Sequence, residues 1–263
     1  MTEAAGVLID LSKKIDAHVD TVWGIVSTPE GFGAWMGGTV SFSPDAGSPF
    51  EANFPQFQMV IRGEVREFDA TAHRLVLTWG VAQGPQTETF PAGSSLLELT
   101  LTPENGGTDA RVHHSQLPTE EGAEGHEAGW RFHLSRLSLQ ANRQDLTNNL
   151  GRSVDAWFAA WNETDADARD ALLISCCSED VAFRDEYADA TGRQLLSMHI
   201  GSTQMFMPGF SIAAAGPAIV CRGEALVPWK GTGPNGLEVT GTNHIAAHPD
   251  GTITRVTGFY SAG

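Results

Sequence analysis

Asp185 is the carboxylate best placed for chemistry in this chain. It follows the apolar run 181–183 and precedes Glu186, so it sits where a strand gives way to a loop. A carboxylate there can accept a proton as a general base, or it can cap the turn with its own oxygens. His199 falls in a helix-patterned stretch, and His244 in a strand-patterned one beside Asn243. Either imidazole is of a type that can serve proton transfer, but a lone histidine on a half-buried face is usually a structural residue. Trp161, Phe206, Phe210 and Trp229 can wall an apolar pocket or fill a core. In the first half, strand alternation puts Val112 and His114 on one face. With Trp79 and Trp130, His114 makes a second candidate cluster. His113 and His114 point to opposite faces of a strand, so they cannot share one ion. His126 and His133 share a helix face but no carboxylate spacing completes a zinc motif, so no metal and no cofactor is expected. No GxSxG, P-loop or GxGxxG occurs, and Ser94-Ser95 reads as a turn without nucleophile context.

The elements that must position these residues follow from periodicity. A strand-like run covers 7–15, and a short helix 20–26 has Asp20 as its N-cap. Phe32, Trp35 and Met36 fall in a Gly-rich turn region. Strands are predicted near 58–68, 74–81, 95–102 and 109–115, with Glu104-Asn105-Gly106-Gly107 as a hairpin turn. A helix runs from about 118 to 143. Its apolar stripe is Trp130, Leu134, Leu137 and Ala141, with Gly129 read as allowing close approach to a sheet. The polar stretch 145–152 then interrupts the pattern, giving domains 1–144 and 150–263. In the second, helices precede strands. Helix 150–162 carries Trp157 and Trp161, and Thr164 with Asp167 resembles a capping box. A strand at 181–183, a helix at 193–203 and strands near 218–230, 236–247 and 252–260 complete it.

Composition sets the class. Of 263 residues, 41% are hydrophobic and 18% charged, which suits folded domains. The net charge of −16 opposes nucleic acid and anionic membrane as partners. No apolar run approaches the ~20 residues of a membrane helix. The first residues lack the pattern of a secretory leader. Three cysteines without CxxC spacing read as reduced thiols of a cytoplasmic protein.

Asp20-Thr-Val-Trp23 with Trp35, Gly63-Glu-Val-Arg66, Arg74-Leu-Val-Leu-Thr-Trp79, His113-His114-Ser115 and His126-Glu-Ala-Gly-Trp130 carry a resemblance to the SRPBCC or START-like superfamily, in its branch similar to the activator of the Hsp90 ATPase. That resemblance implies a helix-grip fold over 7–144: a curved antiparallel sheet around a long helix, with a cavity between. Trp157 to Asn162, Ala182-Phe-Arg-Asp185, Gly192-Arg193, Gly241-Thr-Asn243 and Gly258-Phe-Tyr260 resemble a SnoaL-like member of the NTF2-like superfamily. This implies a cone-shaped α+β barrel over 150–261 with a pocket at its open end. The fold class expected is therefore α+β, a helix-grip domain followed by an NTF2-like one.

The second resemblance places Asp185 in an apolar pocket, where desolvation raises a carboxylate pKa. It also marks Asn243 as an amide where the family's Gly-Thr-Asp pattern carries an acid. Hydrogen bonding survives that exchange and the charge does not. Three readings result. The first is binding of a small hydrophobic molecule, aromatic or polyketide-like, without catalysis. The second is a cofactor-independent cyclase or isomerase with Asp185 as base and Asn243 or His244 stabilising an oxyanion. The third is a co-chaperone-like interaction role. Trp161, His199, Phe206 and Trp229 would line one pocket, and Trp79, His114 and Trp130 the other. Relatives of the second type pair through the outer sheet face, so a homodimer or an intramolecular domain pair is expected.

Overall fold

A computed structural model describes residues 7–261, which leaves the first residues read for a leader outside the described part. The chain divides into two compact units, Met1–Ala141 and Asn142–Gly263. Both are α+β.

In the first unit, alternating apolar positions build an antiparallel sheet. Its strands are β1 (Val7–Ile15), β2 (Thr39–Ser41), β3 (Pro49–Phe54), β4 (Met59–Asp69), β5 (Arg74–Trp79), β6 (Val81–Gln83), β7 (Ser95–Glu104) and β8 (Gly107–Leu117). The order is β1-β8-β7-β5-β4-β3-β2, with β6 on β4. Two helices, α1 (Val19–Val26) and α2 (Pro29–Met36), follow β1. Asp20 lies in the first turn of α1, and His18 takes the N-cap position assigned to Asp20 from sequence. The region read as a turn is α2: the Thr28 side chain accepts from the Gly31 N–H, Pro29 occupies the first turn and Gly37 ends the helix. Those are start and stop signals in their usual places. The long helix α3 (Glu120–Asn162) adds Trp130, Leu134, Leu137 and Ala141 to a core that includes Trp35, Phe50 and Leu77.

The stretch 145–152, read as an interruption, is helical. Burial repeats through it at helical spacing, with Asp145, Leu146 and Leu150 buried and Thr147, Asn148, Gly151 and Arg152 exposed. Asn148 and Gly151 face solvent and the half-buried Asn149 donates to the Pro249 carbonyl, so packing of the apolar stripe outweighs their turn propensity.

In the second unit, the stripe continues through Val154, Trp157 and Phe158 into a separate core. Helix α4 (Ala166–Cys176) is capped by Asp165, whose carboxylate accepts from the Ala168 N–H at 2.9 Å; Thr164 does not cap it. The remaining elements are β9 (Cys177–Arg184), β10 (Asp189–Thr191), α5 (Arg193–Phe206), β11 (Ser211–Ala214), β12 (Ile219–Cys221), β13 (Glu224–Thr232), β14 (Glu238–Ala247) and β15 (Ile253–Tyr260). The sheet runs β10-β9-β15-β14-β13-β11, with β12 on β13. Only β9 and β15 pair in parallel among the described ladders.

Candidate functional site

The second unit encloses a cavity of about 470 Å³. Trp157 and Trp161 reach it from α3 because they are one helical turn apart. Strand β13 contributes Trp229, β14 contributes Asn243, and β15 contributes Gly258 and Tyr260. Asp185 sits one residue past the end of β9. His199 and Phe206 come from α5.

Two glycines shape the wall. Trp229 faces Gly241 across the β13–β14 ladder. A Cβ at Gly241 would fall 2.4 Å from Trp229 Cζ2, so the indole lies across the bare backbone of β14. Gly258 is paired with Asn243 on the neighbouring strand. A Cβ there would stand 3.3 Å from Asp185 Cβ and 3.5 Å from Asn243 Oδ1. Gly258 therefore keeps open a gap flanked by the carboxylate and the amide.

The Asp185 carboxylate is tightly held. Its Oδ1 accepts from the Tyr187 and Ala188 N–H groups, both at 2.8 Å, so that oxygen is saturated. Its Oδ2 accepts from the Tyr260 hydroxyl at 3.3 Å and retains acceptor capacity. Asp185 thus caps its turn and lines the cavity at once. Burial, then the Asp185 charge, raises the Tyr260 pKa, which keeps the phenol protonated as a donor. Asn243 is 5% exposed. Tyr260 meets both Tyr187 and Trp229 edge to face, with centroids 5.4 Å apart in each pair.

His244 does not join this site. Strand alternation turns it to the opposite sheet face from Asn243, where its Nε2 lies 2.7 Å from Glu224 Oε2 and Arg255 bonds the same carboxylate. The expectation that His244 stabilises an oxyanion beside Asn243 is corrected on that ground. Phe206 is 83% exposed and stands at the rim. His199 packs its ring against Trp161 and Phe183. Tyr260, Gly258 and Trp157 were missed as site residues. Alternation outward from Asn243 and its paired strand would have found Gly258 and Tyr260, and the i, i+4 relation to Trp161 would have found Trp157.

The first unit holds a smaller cavity of about 320 Å³, walled by Trp79 from β5 and by Gly125, His126, Gly129, Trp130 and His133 from α3. Gly129 does not press on a sheet: space beside it is open, and it borders the cavity. His114 does not line this cavity. It is fully buried between Trp130, whose Nε1 donates to His114 Nδ1 at 3.0 Å, and Ser95, whose Oγ is 2.7 Å from His114 Nε2. An Nδ1 that accepts is unprotonated, so the neutral ring carries its proton on Nε2 and donates to Ser95. Ser95 in turn donates to the Trp79 carbonyl at 2.9 Å. The pair has the look of a Ser–His dyad but the wrong tautomer, since Nε2 cannot take the serine proton. Burial, with smaller contributions from His126 and His113, lowers the His114 pKa to about 3. The expected ligand contact by His114 becomes a structural hydrogen-bond relay. Among the described residues, no cluster of three potential metal ligands occurs, and no helix is long and apolar enough to cross a membrane.

Residues 16–139 match the family model described as Activator of Hsp90 ATPase homolog 1-like protein. The matched segment begins after β1 and takes in β2 to β8 and the part of α3 that borders the first cavity. Over the C-terminal portion the chain is similar to a SnoaL-like family protein from Agrobacterium tumefaciens, at 24% identity and TM-score 0.40, covering 43% of this chain and 97% of that one. CalU16 from Micromonospora echinospora gives 22% identity and TM-score 0.41, covering 52% of this chain and 77% of that one. Protein MLL2253 from Mesorhizobium loti gives 22% and 0.43, covering 50% and 94%. A comparison with curated proteins finds no match.

Proposed function

We propose that the second unit binds a small, largely apolar molecule in the cavity bounded by Trp161, Trp229 and Tyr260. The observation that carries this reading is the gap at Gly258, where a roughly 470 Å³ aromatic-walled space meets the side chains of Asp185 and Asn243. Volume and lining suit a drug-sized ligand held by apolar area and oriented by a few polar groups. Two features favour binding without turnover. Asp185 spends Oδ1 on its own turn, and Asn243 is uncharged. A second reading draws on the same gap: Asp185 Oδ2 removes a proton and the Asn243 amide donates to the developing oxyanion.

Energy transfer from tryptophan to 2-naphthol, a neutral bicyclic probe, tests the binding reading. Binding to the wild-type chain that disappears in Gly258→Val, with the melting profile retained, is expected. Equal binding by the wild type and by Gly258→Val would overturn it. Substrate turnover by the wild type that Asp185→Asn abolishes would move the conclusion to the catalytic reading.

A further inference from the structure

The chemistry of the same cavity narrows its ligand. We infer that its ligand carries a positive charge: a hydrophobic amine or quaternary ammonium, with the cationic group held among aromatic faces near Asp185. This rests on the reading that the cavity binds a small molecule, and it names the class.

Three observations converge. Asp185 is the only Asp, Glu, Lys or Arg among the described lining residues. A carboxylate, phosphate or sulfate ligand would find no countercharge there and would face Asp185 directly.

The second observation is how the indoles are turned. Trp157, Trp161 and Trp229 each bury Nε1 without a hydrogen-bond partner, and none exposes that nitrogen to the cavity space. For Trp229 the cause is visible. The Cε2 and Cζ2 atoms, on the side of the ring that bears the nitrogen, press on Gly241. The N–H edge, which is the electropositive part of an indole, is thereby withdrawn. What these rings offer a ligand is carbon surface and π-electron density, the part that attracts cations.

Third, Tyr260 stands at 85° to Tyr187 and 89° to Trp229, so the rings form corners instead of a parallel stack. Corners of this kind contact a compact, roughly spherical group from more than one side, as aromatic cages do with ammonium ions. Asp185 Oδ2 borders this arrangement through its bond from Tyr260. The surrounding unit, Asn142–Gly263, holds 8 Lys and Arg against 14 Asp and Glu, so its average field also draws cations inward.

The test compares benzyltrimethylammonium with its uncharged carbon isostere neopentylbenzene and with the anion phenylacetate. Binding is followed in proton–nitrogen NMR spectra by the indole N–H signals of Trp157, Trp161 and Trp229. The expected result is a cation that binds about tenfold or more tightly than its isostere, with no binding by the anion. Asp185→Asn should weaken the cation about tenfold and leave the isostere unchanged. The amide oxygen can still accept both turn N–H groups, so the turn survives the change. An isostere that binds as tightly as the cation would overturn the charge assignment while leaving an apolar binding site in place. Indole signals that respond to neither probe would overturn the binding reading itself. A cation preference undiminished in Asp185→Asn would overturn the inferred role of the carboxylate and with it the proposal.

Discussion

Acid sensitivity centred on His114 gives the sharpest quantitative expectation. The folded chain holds this imidazole neutral, with a pKa lowered by burial to about 3 from its ordinary 6.5. The unfolded chain releases the ring to water, where it takes up a proton near 6.5. Between those values the unfolded state binds more protons, so stability falls as pH falls. The contribution is complete above about pH 6.5 and declines by about 1.4 kcal/mol per unit toward pH 3. From pH 7 to pH 4 the loss amounts to about 3 kcal/mol. Other groups act in the same direction. Asp10, held low chiefly by its bond from Arg111, and Glu98, held low chiefly by Arg74, also lose stability as pH falls through their depressed range. His133, lowered by burial, does likewise. The wild-type curve alone therefore does not isolate His114, and a difference curve does. His114→Gln has no titrating ring, keeps a donor for Ser95 and should cost about 1–3 kcal/mol at pH 7 through an imperfect relay. That deficit should shrink by about 3 kcal/mol at pH 4 and can change sign. Urea unfolding read by hydrogen exchange in peptides of β7 and β8 follows this region selectively. Parallel pH profiles for the two chains would refute the reasoning. So would an NMR titration of the wild-type chain in which the His114 ring protonates above pH 5 without unfolding.

Trp130→Phe removes the N–H that faces His114 Nδ1, so the His114 pKa should rise and stability at pH 7 should drop by about 1 kcal/mol before packing losses, both measurable by NMR titration and denaturant unfolding. Asp165→Ala removes the cap of α4 and should cost about 1 kcal/mol, read as a lower unfolding midpoint. Gly151→Ala should raise stability by about 0.5–1 kcal/mol, because the residue is exposed within α3 and nothing lies within 4 Å of the added methyl; a lower unfolding midpoint would contradict the helical assignment of 145–152. Tyr260→Phe removes the donor to Asp185 Oδ2 while Oδ1 keeps its two backbone bonds. Unfolding should then shift by no more than about 1 kcal/mol, and a collapse of the fold would contradict the placement of the hydroxyl at the cavity wall.

Much of the architecture was legible in the residues. Alternation in β7 and β8 and the stripe Trp130, Leu134, Leu137 and Ala141 are local patterns with one physical solution, and the structure adopts it. The continuity of α3 was hidden because Asn148, Asn149 and Gly151 speak for a turn, while Leu146 and Leu150, only two apolar positions, speak for the helix. Burial decides between them, and burial is a property of the whole fold. At the site, Asp185, Trp161, Trp229 and Asn243 could be picked out singly as side chains suited to a pocket. The meeting of Asp185 and Asn243 at Gly258 depends on the pairing of β14 with β15 and of β15 with β9, which no local pattern encodes. The misplacement of His244 had a different cause: alternation beside a buried Asn243 already sends it to the other face.

The Ser95–His114–Trp130 relay has a consequence for how the first sheet is assembled. Its members come from β7, β8 and α3, and Ser95 also holds the last residue of β5. A slip of one residue between β7 and β8 would send the imidazole to the opposite side and leave the Trp130 N–H and the serine hydroxyl dry and unpaired. The same slip would turn Val112, which shares the buried face of β8 with His114, out of the core as well. The relay therefore works as an alignment key: beyond what it contributes to the native state, it raises the cost of the misregistered sheets that compete with it.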